Sequence, residues 1–409
     1  METTCHRKHS PLSRFTPTSF FEKFGEEIWT PHAFATRGKF NDCHIIIATI
    51  GQRDIAYCPY GDYRRQMRKV CILELLSAKN VRSFCSIRED EVFHLMESVK
   101  SSFGLPINLT EKIFSLTNDI TFRAAFGKRY EDKDAIIPLI KETVEVAGGF
   151  NLCDSFPSLK VLHLLSGMRG NGEGGEEDLL DVLLGLKHRG GLQFPMTNNN
   201  IKAIIQEIFC AGTDTSSTTI DWAMSEMVRN LRVMKKTQAE VRQVLRGKKR
   251  ICEADIQELK YLKLVIKETL RLHPPAPLLL PRECREQIEM DGYLIPVKTK
   301  LIVNVWAIGR DPEYWVDAEI FSPERFNNSP VDFIGTGFQY IPFGAGRRIC
   351  PGISFGLANV ELPLAQLLYH FNWNQSNGTK PEDLDMTETF GASVRRISGL
   401  NLIATPYFT

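Results

Sequence analysis

Apolar residues recur at intervals of three and four along most of the chain from residue 62 onward, which is the period of a helix that buries one face. The pattern predicts a helix that opens after Asp62 and further helices over 87–102, 109–126, 135–147 and 179–186. Before residue 60 there is no such period, and we expect irregular structure there. A short extended piece is predicted over 300–306. These patterns predict a mainly α fold with small β-sheets.

One predicted helix is much longer than the others. Thr197 or Asn198 can accept N–H groups at its start, and the apolar period continues to about Val228. At 1.5 Å per residue, this helix would be roughly 45 Å long and could cross a whole domain. The Gly-rich acidic segment at 170–177 precedes it and is predicted to be a flexible joint.

Composition narrows the function classes. The chain has 409 residues, of which 43% are hydrophobic and 24% are charged, so it can bury a large core. Fifty Lys and Arg against 49 Asp and Glu give a net charge of +1, and we expect no nucleic-acid partner. The ten cysteines form no CxxC pair, which argues against a zinc ribbon and a disulfide framework. No apolar run approaches the roughly 18 residues that cross a bilayer.

A glycine-rich loop, Phe343-Gly-Ala-Gly-Arg-Arg-Ile-Cys-Pro-Gly352, places one cysteine at the start of a helix predicted to run toward His370. Pro351 would suit the first position of that helix. The positive end of the helix and its N–H groups would favour a thiolate at Cys350. A thiolate on haem iron favours cleavage of the O–O bond. On its own, a cysteine is more often a small buried hydrophobe.

The surrounding loop favours a haem ligand over a buried hydrophobic cysteine. Its sequence resembles the haem-binding signature of the cytochrome P-450 superfamily in the spacing of Phe343, Gly346, Arg348, Cys350 and Gly352. The resemblance implies the cytochrome P-450 fold, with small β-sheets and a long central helix over the haem. It also implies that Glu268-Thr-Leu-Arg271 and the Arg325 of Pro323-Glu-Arg-Phe326 form a buried ionic cluster behind the loop. We expect a structural role for that cluster.

The same resemblance implies heme b (iron protoporphyrin IX) as cofactor and Cys350 as the metal ligand. It assigns Arg348, Arg68, Arg282, Phe343 and Gly346 to cofactor binding, the arginines as partners of the haem propionates.

On the long helix, the segment Ala211-Gly-Thr-Asp-Thr-Ser216 carries the catalytic candidates. By resemblance, Thr215 hydrogen-bonds the bound dioxygen and Asp214 helps deliver protons. From the residues alone, a set of capping or back-bonding hydroxyls is the preferred interpretation, and the cysteine loop is what favours the catalytic one. We expect the helix to bulge there.

One position departs from the family pattern. Arg64, in Tyr63-Arg-Arg-Gln-Met-Arg68, stands where the family has Trp. It could form a new charge pair, or it could desolvate poorly and weaken haem retention.

The resemblance covers residue 42 to the end and includes sequence segments similar to those of plant microsomal members that oxidise terpenoids. It implies a monooxygenase that inserts one oxygen atom from O2 into an apolar small molecule such as a terpenoid. Electrons would come from NADPH through NADPH-cytochrome reductase, a flavoprotein, at the cytosolic face of the endoplasmic reticulum membrane. We divide the chain into an atypical N-terminal segment, 1–41, and a haem-thiolate monooxygenase domain, 42–409. Apolar pocket residues are expected at 45–50, Ala211, 276–280 and 390–393.

Members of the family carry an N-terminal membrane anchor, a Pro-rich hinge, an early β-sheet and a helix where the 170–177 joint stands. We expect this chain to lack all four, so it could be soluble. Two alternatives follow. One is a reductase-independent enzyme that rearranges hydroperoxides, against which Asp214 and Thr215 argue. The other is a non-catalytic relative that binds haem weakly or not at all, to which the missing segments and Arg64 point.

Overall fold

The structure is a computed structural model. It describes residues 55–56, 58–127 and 177–407 except 249, 291, 377, 379 and 390, together with the backbone of Ala33–Thr36. Several predictions therefore fall outside the described residues: the helix at 135–147, the joint at 170–177 apart from Glu177, most of the 1–41 segment, and the pocket residues 45–50 and 390.

The described chain is mainly helical, as the hydrophobic period predicts. The helices are α1 Asp62–Val70, α2 Ala78–Ser83, α3 Cys85–Lys100, α4 Leu109–Phe126, α5 Leu179–Arg189, α6 Asn198–Arg229, α7 Leu231–Val244, α8 Lys260–Leu272, α9 Val305–Ile308 and α10 Ile353–His370. A π-helical turn, Cys71–Leu75, continues α1. Within the described ranges, no helix is both long enough and apolar enough to cross a membrane.

Helix α6 is the predicted long helix, and its 32 residues pass through the centre of the molecule between α4 and α10. Thr197 caps its start: the Thr197 hydroxyl accepts the Asn200 N–H at 3.2 Å, and the Asn200 side chain accepts the Thr197 N–H at 2.8 Å. The bulge expected at 211–216 is absent, because α6 stays α-helical throughout. The Thr215 and Thr219 hydroxyls bond to carbonyls four residues back without interrupting it.

The described residues also form three small antiparallel sheets. The first has the order β1 Ala33–Thr36, β6 Lys300–Val303, β3 Arg282–Glu283, and the second has the order β2 Pro106–Asn108, β8 Asn401–Pro406, β7 Phe371–Gln375. The third pairs β4 Ile288–Met290 with β5 Tyr293–Ile295.

Two expectations about strands need correction. Strand β1 shows that residues before 60 are not all irregular and that an early strand is present, since Phe34 pairs with Ile302. The extended piece predicted over 300–306 ends at Val303, because the Asn304 side chain accepts the Ala307 N–H at 3.0 Å and caps α9.

Candidate active site

The loop before α10 holds Cys350 in a fixed position. The Cys350 N–H donates to the Phe343 carbonyl at 2.9 Å, and the Ile349 N–H donates to the Gly346 carbonyl at 3.1 Å. Gly344 and Gly346 have φ values of 69° and 63°, in the left-handed region that residues with a Cβ avoid. The glycines of the motif therefore allow the tight turn that presents the cysteine.

The sulfur of Cys350 accepts the Gly352 N–H at 3.3 Å, as the sequence predicts for a residue before a helix. Pro351 is not the first residue of that helix, however: α10 begins at Ile353 with Gly352 as its N-cap. Burial raises the pKa of the Cys350 thiol, and the Gly352 N–H and Arg68 only partly oppose that rise. A metal ion bound to the sulfur would supply positive charge that favours the thiolate.

Behind the loop, Glu268 and Arg271 of α8 form the predicted ionic cluster with Arg325. Arg271 donates from Nε and Nη2 to the two Glu268 oxygens, each at 2.8 Å, and Arg325 Nε donates to Glu268 Oε1 at 2.9 Å. The side chains of Glu268 and Arg271 have no exposed surface. The predicted cluster is therefore present and buried, and its structural role stays a prediction.

A cavity of about 440 Å³ lies between α6 and the cysteine loop. Nearly all predicted site residues line it: Cys350, Phe343, Arg348, Arg68, Arg282, Asp214 and Thr215. Gly346 does not. The predicted pocket residues that line it are Ala211, Ala276, Leu279, Leu280, Ala392 and Ser393, whereas Pro277, Leu278 and Gly391 do not. Residues that lie far apart in the sequence therefore meet around one largely apolar space.

The donors around this cavity fit a haem. Arg68, Arg282 and Arg348 present guanidinium groups on its wall, and guanidinium forks suit carboxylates such as propionates. Arg68 also donates to the Ile349 carbonyl, which ties α1 to the cysteine loop. Burial, and then the nearby Arg64, lowers the pKa of Arg68, so an anion beside these arginines would be favourable. One sulfur and several arginines match a group with one iron and two carboxylates.

On the opposite wall, Asp214 is buried and Thr215 lies partly open to the cavity. The Thr215 hydroxyl donates to the Ala211 carbonyl at 2.7 Å, so its oxygen can still accept a hydrogen bond. Gly212 lets α6 approach α10 and α4 closely, because a Cβ there would lie 3.3 Å from the Phe355 ring and 3.4 Å from Thr121. The glycine of the 211–216 segment therefore has a packing reason as well.

The lining residues on α6 that were not predicted from the sequence include Ala203, Glu207 and Thr219. Together with the predicted Ala211 and Thr215 they follow one another at intervals of four, and all five line the cavity. The helical period, counted back from Thr215, was the signal that could have identified them. The lining role of Ile55 and Arg64 had no such signal, because it depends on how distant segments pack.

Comparisons with known proteins agree with this geometry. A sequence model described as Cytochrome P450 matches residues 27–170 and 168–402. Premnaspirodiene oxygenase of Hyoscyamus muticus is 57% identical, over 92% of this chain and 80% of that protein. 5-Epiaristolochene 1,3-dihydroxylase of Nicotiana tabacum is 53% identical, over 98% of this chain and 86% of that protein. A solved zebra fish cytochrome P450 structure with abiraterone is 25% identical, has a TM-score of 0.75, and covers 92% of this chain and 89% of its own.

Proposed function

This chain belongs to the cytochrome P450 family, and from that premise we propose that it is a haem monooxygenase whose substrate is a terpenoid hydrocarbon. One observation carries the proposal: Cys350, three arginines and the Thr215 segment meet around a single apolar cavity. The names of two relatives specify premnaspirodiene and 5-epiaristolochene, which are hydrocarbons. An apolar pocket suits such a molecule, since it offers the substrate apolar surface in place of water.

We propose Cys350 as the iron ligand and Arg68, Arg282 and Arg348 as the partners of the haem carboxylates. Phe343 and Gly346 shape the loop that carries the sulfur. When bound, haem supplies a redox-active iron that activates dioxygen with two electrons that come from NADPH through a reductase. The N–H of Gly352 stabilises negative charge on the sulfur, and the thiolate in turn favours O–O cleavage.

Thr215 and Asp214 are the proposed catalytic pair. Because the Thr215 hydroxyl hydrogen is engaged by the Ala211 carbonyl, the Thr215 oxygen is free to accept a hydrogen bond from a protonated group in the cavity. Asp214 precedes it on α6 and is buried, so it can hold a proton away from bulk water. Together they would deliver protons to the oxygen side of the cavity.

We further propose NADPH-cytochrome reductase as the electron donor and the cytosolic face of the endoplasmic reticulum membrane as the place of action. Membership of the family supports the use of a reductase, O2 and a hydrophobic substrate. The enzymatic names of relatives at more than 50% identity support catalysis over a non-catalytic role.

The decisive test is the absorption spectrum of the reduced protein with carbon monoxide. Purified chain should hold one haem and show the red-shifted Soret band of thiolate ligation. Cys350→Ala should abolish the shift, whereas Cys85→Ala, outside the cavity, should keep it. Folded protein with an unshifted band would refute the proposal. Steady conversion of a lipid hydroperoxide without NADPH would instead favour the hydroperoxide-rearranging alternative.

Thr215→Ala should keep that spectrum but lower the product formed per NADPH by at least about tenfold, because protons would no longer be directed to the oxygen side. An unchanged yield per NADPH would remove Thr215 from the mechanism.

A further inference from the structure

Two charged side chains from different helices hold the backbone of one residue, Ile55. The Ile55 N–H donates to Glu207 Oε2 of α6 at 2.7 Å. Arg64 of α1 donates from Nε to the Ile55 carbonyl at 2.9 Å. Arg64 and Ile55 are only 4% and 5% exposed, so water competes little for either contact. The sequence leaves the role of the cation at position 64 open, and the structure gives it this partner.

The two contacts fix the orientation of Ile55 as well as its position. The N–H and the carbonyl of Ile55 belong to the two peptide planes on either side of its Cα, and each plane is rigid. Holding both planes sets the two dihedral angles between them, and so sets the direction of the Ile55 side chain. Hydrogen bonds to charged groups are roughly twice as strong as neutral ones. The orientation of Ile55 is therefore well determined.

All three residues line the cavity of the active site. Glu207 lies on the same stripe of α6 as Ala211 and Thr215, eight residues before Thr215. A rise of 1.5 Å per residue places it roughly 12 Å along the helix from Thr215. Ile55 thus lies where the end of a substrate remote from Thr215 would rest.

We propose that Arg64 and Glu207 are positioning residues that fix Ile55 as the far wall of the substrate pocket and thereby select which substrate carbon faces the oxygen side. This inference rests on the proposed function. It adds to that function a determinant of regiochemistry made of two charged residues that touch neither the reacting carbon nor the sulfur. A polar pair in an apolar pocket is thereby explained without a polar substrate.

The test uses haem-loaded protein, premnaspirodiene as the probe substrate, and the variants Arg64→Met, Glu207→Leu, Ile55→Ala and Arg64→Met/Glu207→Leu. Each single variant should change the ratio of product regioisomers by about tenfold and raise KM more than it lowers kcat. The double variant should do little more than either single one, because both changes release the same residue. Arg64→Lys should restore part of the wild-type ratio. Arg65→Met, at an exposed neighbouring arginine, should leave the ratio unchanged.

A second readout does not depend on turnover. Hydrogen exchange at the Ile55 amide should accelerate at least tenfold in Glu207→Leu, whereas the Val81 amide, bonded to the Ser77 carbonyl, should keep its rate. Unchanged exchange and unchanged product ratios would overturn the inference. So would a selective loss of haem from Arg64→Met, which would assign Arg64 to the cofactor. If wild-type protein oxidises no hydrocarbon, both proposals fall; if it is active and every variant keeps the wild-type ratio, only this one falls.

Discussion

Glu268 is the buried acceptor on which the ionic cluster behind the cysteine loop depends, and its replacement by glutamine tests that dependence. Its carboxylate accepts two hydrogen bonds from Arg271 at 2.8 Å, one from Arg325 at 2.9 Å and one from the Ser322 N–H at 2.8 Å. Glutamine keeps the volume of the side chain but removes its charge. Arg271 would then be a buried cation that has lost its carboxylate partner and keeps the carbonyl oxygens of Gly309, Ala318 and Ile320. Its guanidinium also lies 5.3 Å from the centre of the Trp315 ring.

Removing one partner of a buried ion pair costs about 3–5 kcal/mol, because the other charge stays buried without compensation. We therefore expect Glu268→Gln to lower the folding equilibrium constant at least about a hundredfold, since each 1.4 kcal/mol is roughly tenfold. Glu324 offers a matched control in the segment that also carries Arg325. It pairs with Arg232 at 2.6 Å and Lys236 at 2.9 Å, both well exposed, and such pairs contribute only about 0–1 kcal/mol.

Urea unfolding, followed by far-ultraviolet circular dichroism on haem-loaded protein, measures both changes. Glu268→Gln should move the midpoint far below that of wild type, and Glu324→Gln should stay close to it. If Glu268→Gln yields no soluble protein, Arg325→Gln gives the graded comparison, because it removes only one of the four hydrogen bonds. Equal shifts for Glu268→Gln and Glu324→Gln would refute the reasoning that burial decides the cost.

Three further predictions concern stability and are measured by the same unfolding assay. Gly309→Ala should destabilise the protein by at least about 2 kcal/mol, because a Cβ there would overlap the backbone carbonyl oxygen of Arg271; a neutral result would contradict the close approach. Gly185→Ala lies inside α5, where an added Cβ would have its nearest neighbour, the Arg189 side chain, at 3.8 Å. It should stabilise the protein by about 0.5–1 kcal/mol, and a loss of stability would show a clash. Burial raises the pKa of Asp178 from 3.8 to about 6, so the folded protein keeps this proton to higher pH and stability falls as pH rises from 3.8 to about 6. Asp178→Asn keeps the cap on the Asp181 N–H, and it should stabilise by about 1–3 kcal/mol at pH 7.5 but hardly at pH 4; equal effects at both values would contradict this sign.

Features encoded by neighbouring residues were predictable from the sequence. Helix α6 was predicted from Thr197 or Asn198 to about Val228 and spans Asn198–Arg229, because the capping residue and the apolar period are local signals. The ionic cluster and the cysteine loop were predictable because their motifs are short and spaced in a characteristic way. The placement of Cys350, Thr215 and three arginines around one cavity followed from the resemblance those motifs support.

Features that depend on tertiary packing were not predictable. Strand β1 has only four residues, too few to show a clear hydrophobic period. It is fixed by its pairing with β6, more than 260 residues later, which no local pattern reveals. The start of α10 was placed two residues too early, at Pro351, by the local rule, since the turn that brings the Gly352 N–H to the sulfur delays the helix to Ile353. The hold of Arg64 and Glu207 on Ile55 joins positions up to 152 residues apart, which no local pattern reveals.

The second sheet has a consequence for how the chain is made. Strand β8 lies in the last ten residues and is the middle strand, between β2 and β7, with Ile107 paired to Leu402 and Trp373 to Ala404. A ribosome releases the chain from its N-terminus, so β2 must wait until β8, almost 300 residues later, has been synthesised before it gains its partner. Contacts of such high sequence separation form slowly. This sheet would therefore be completed only after all the helices between β2 and β8 have been synthesised.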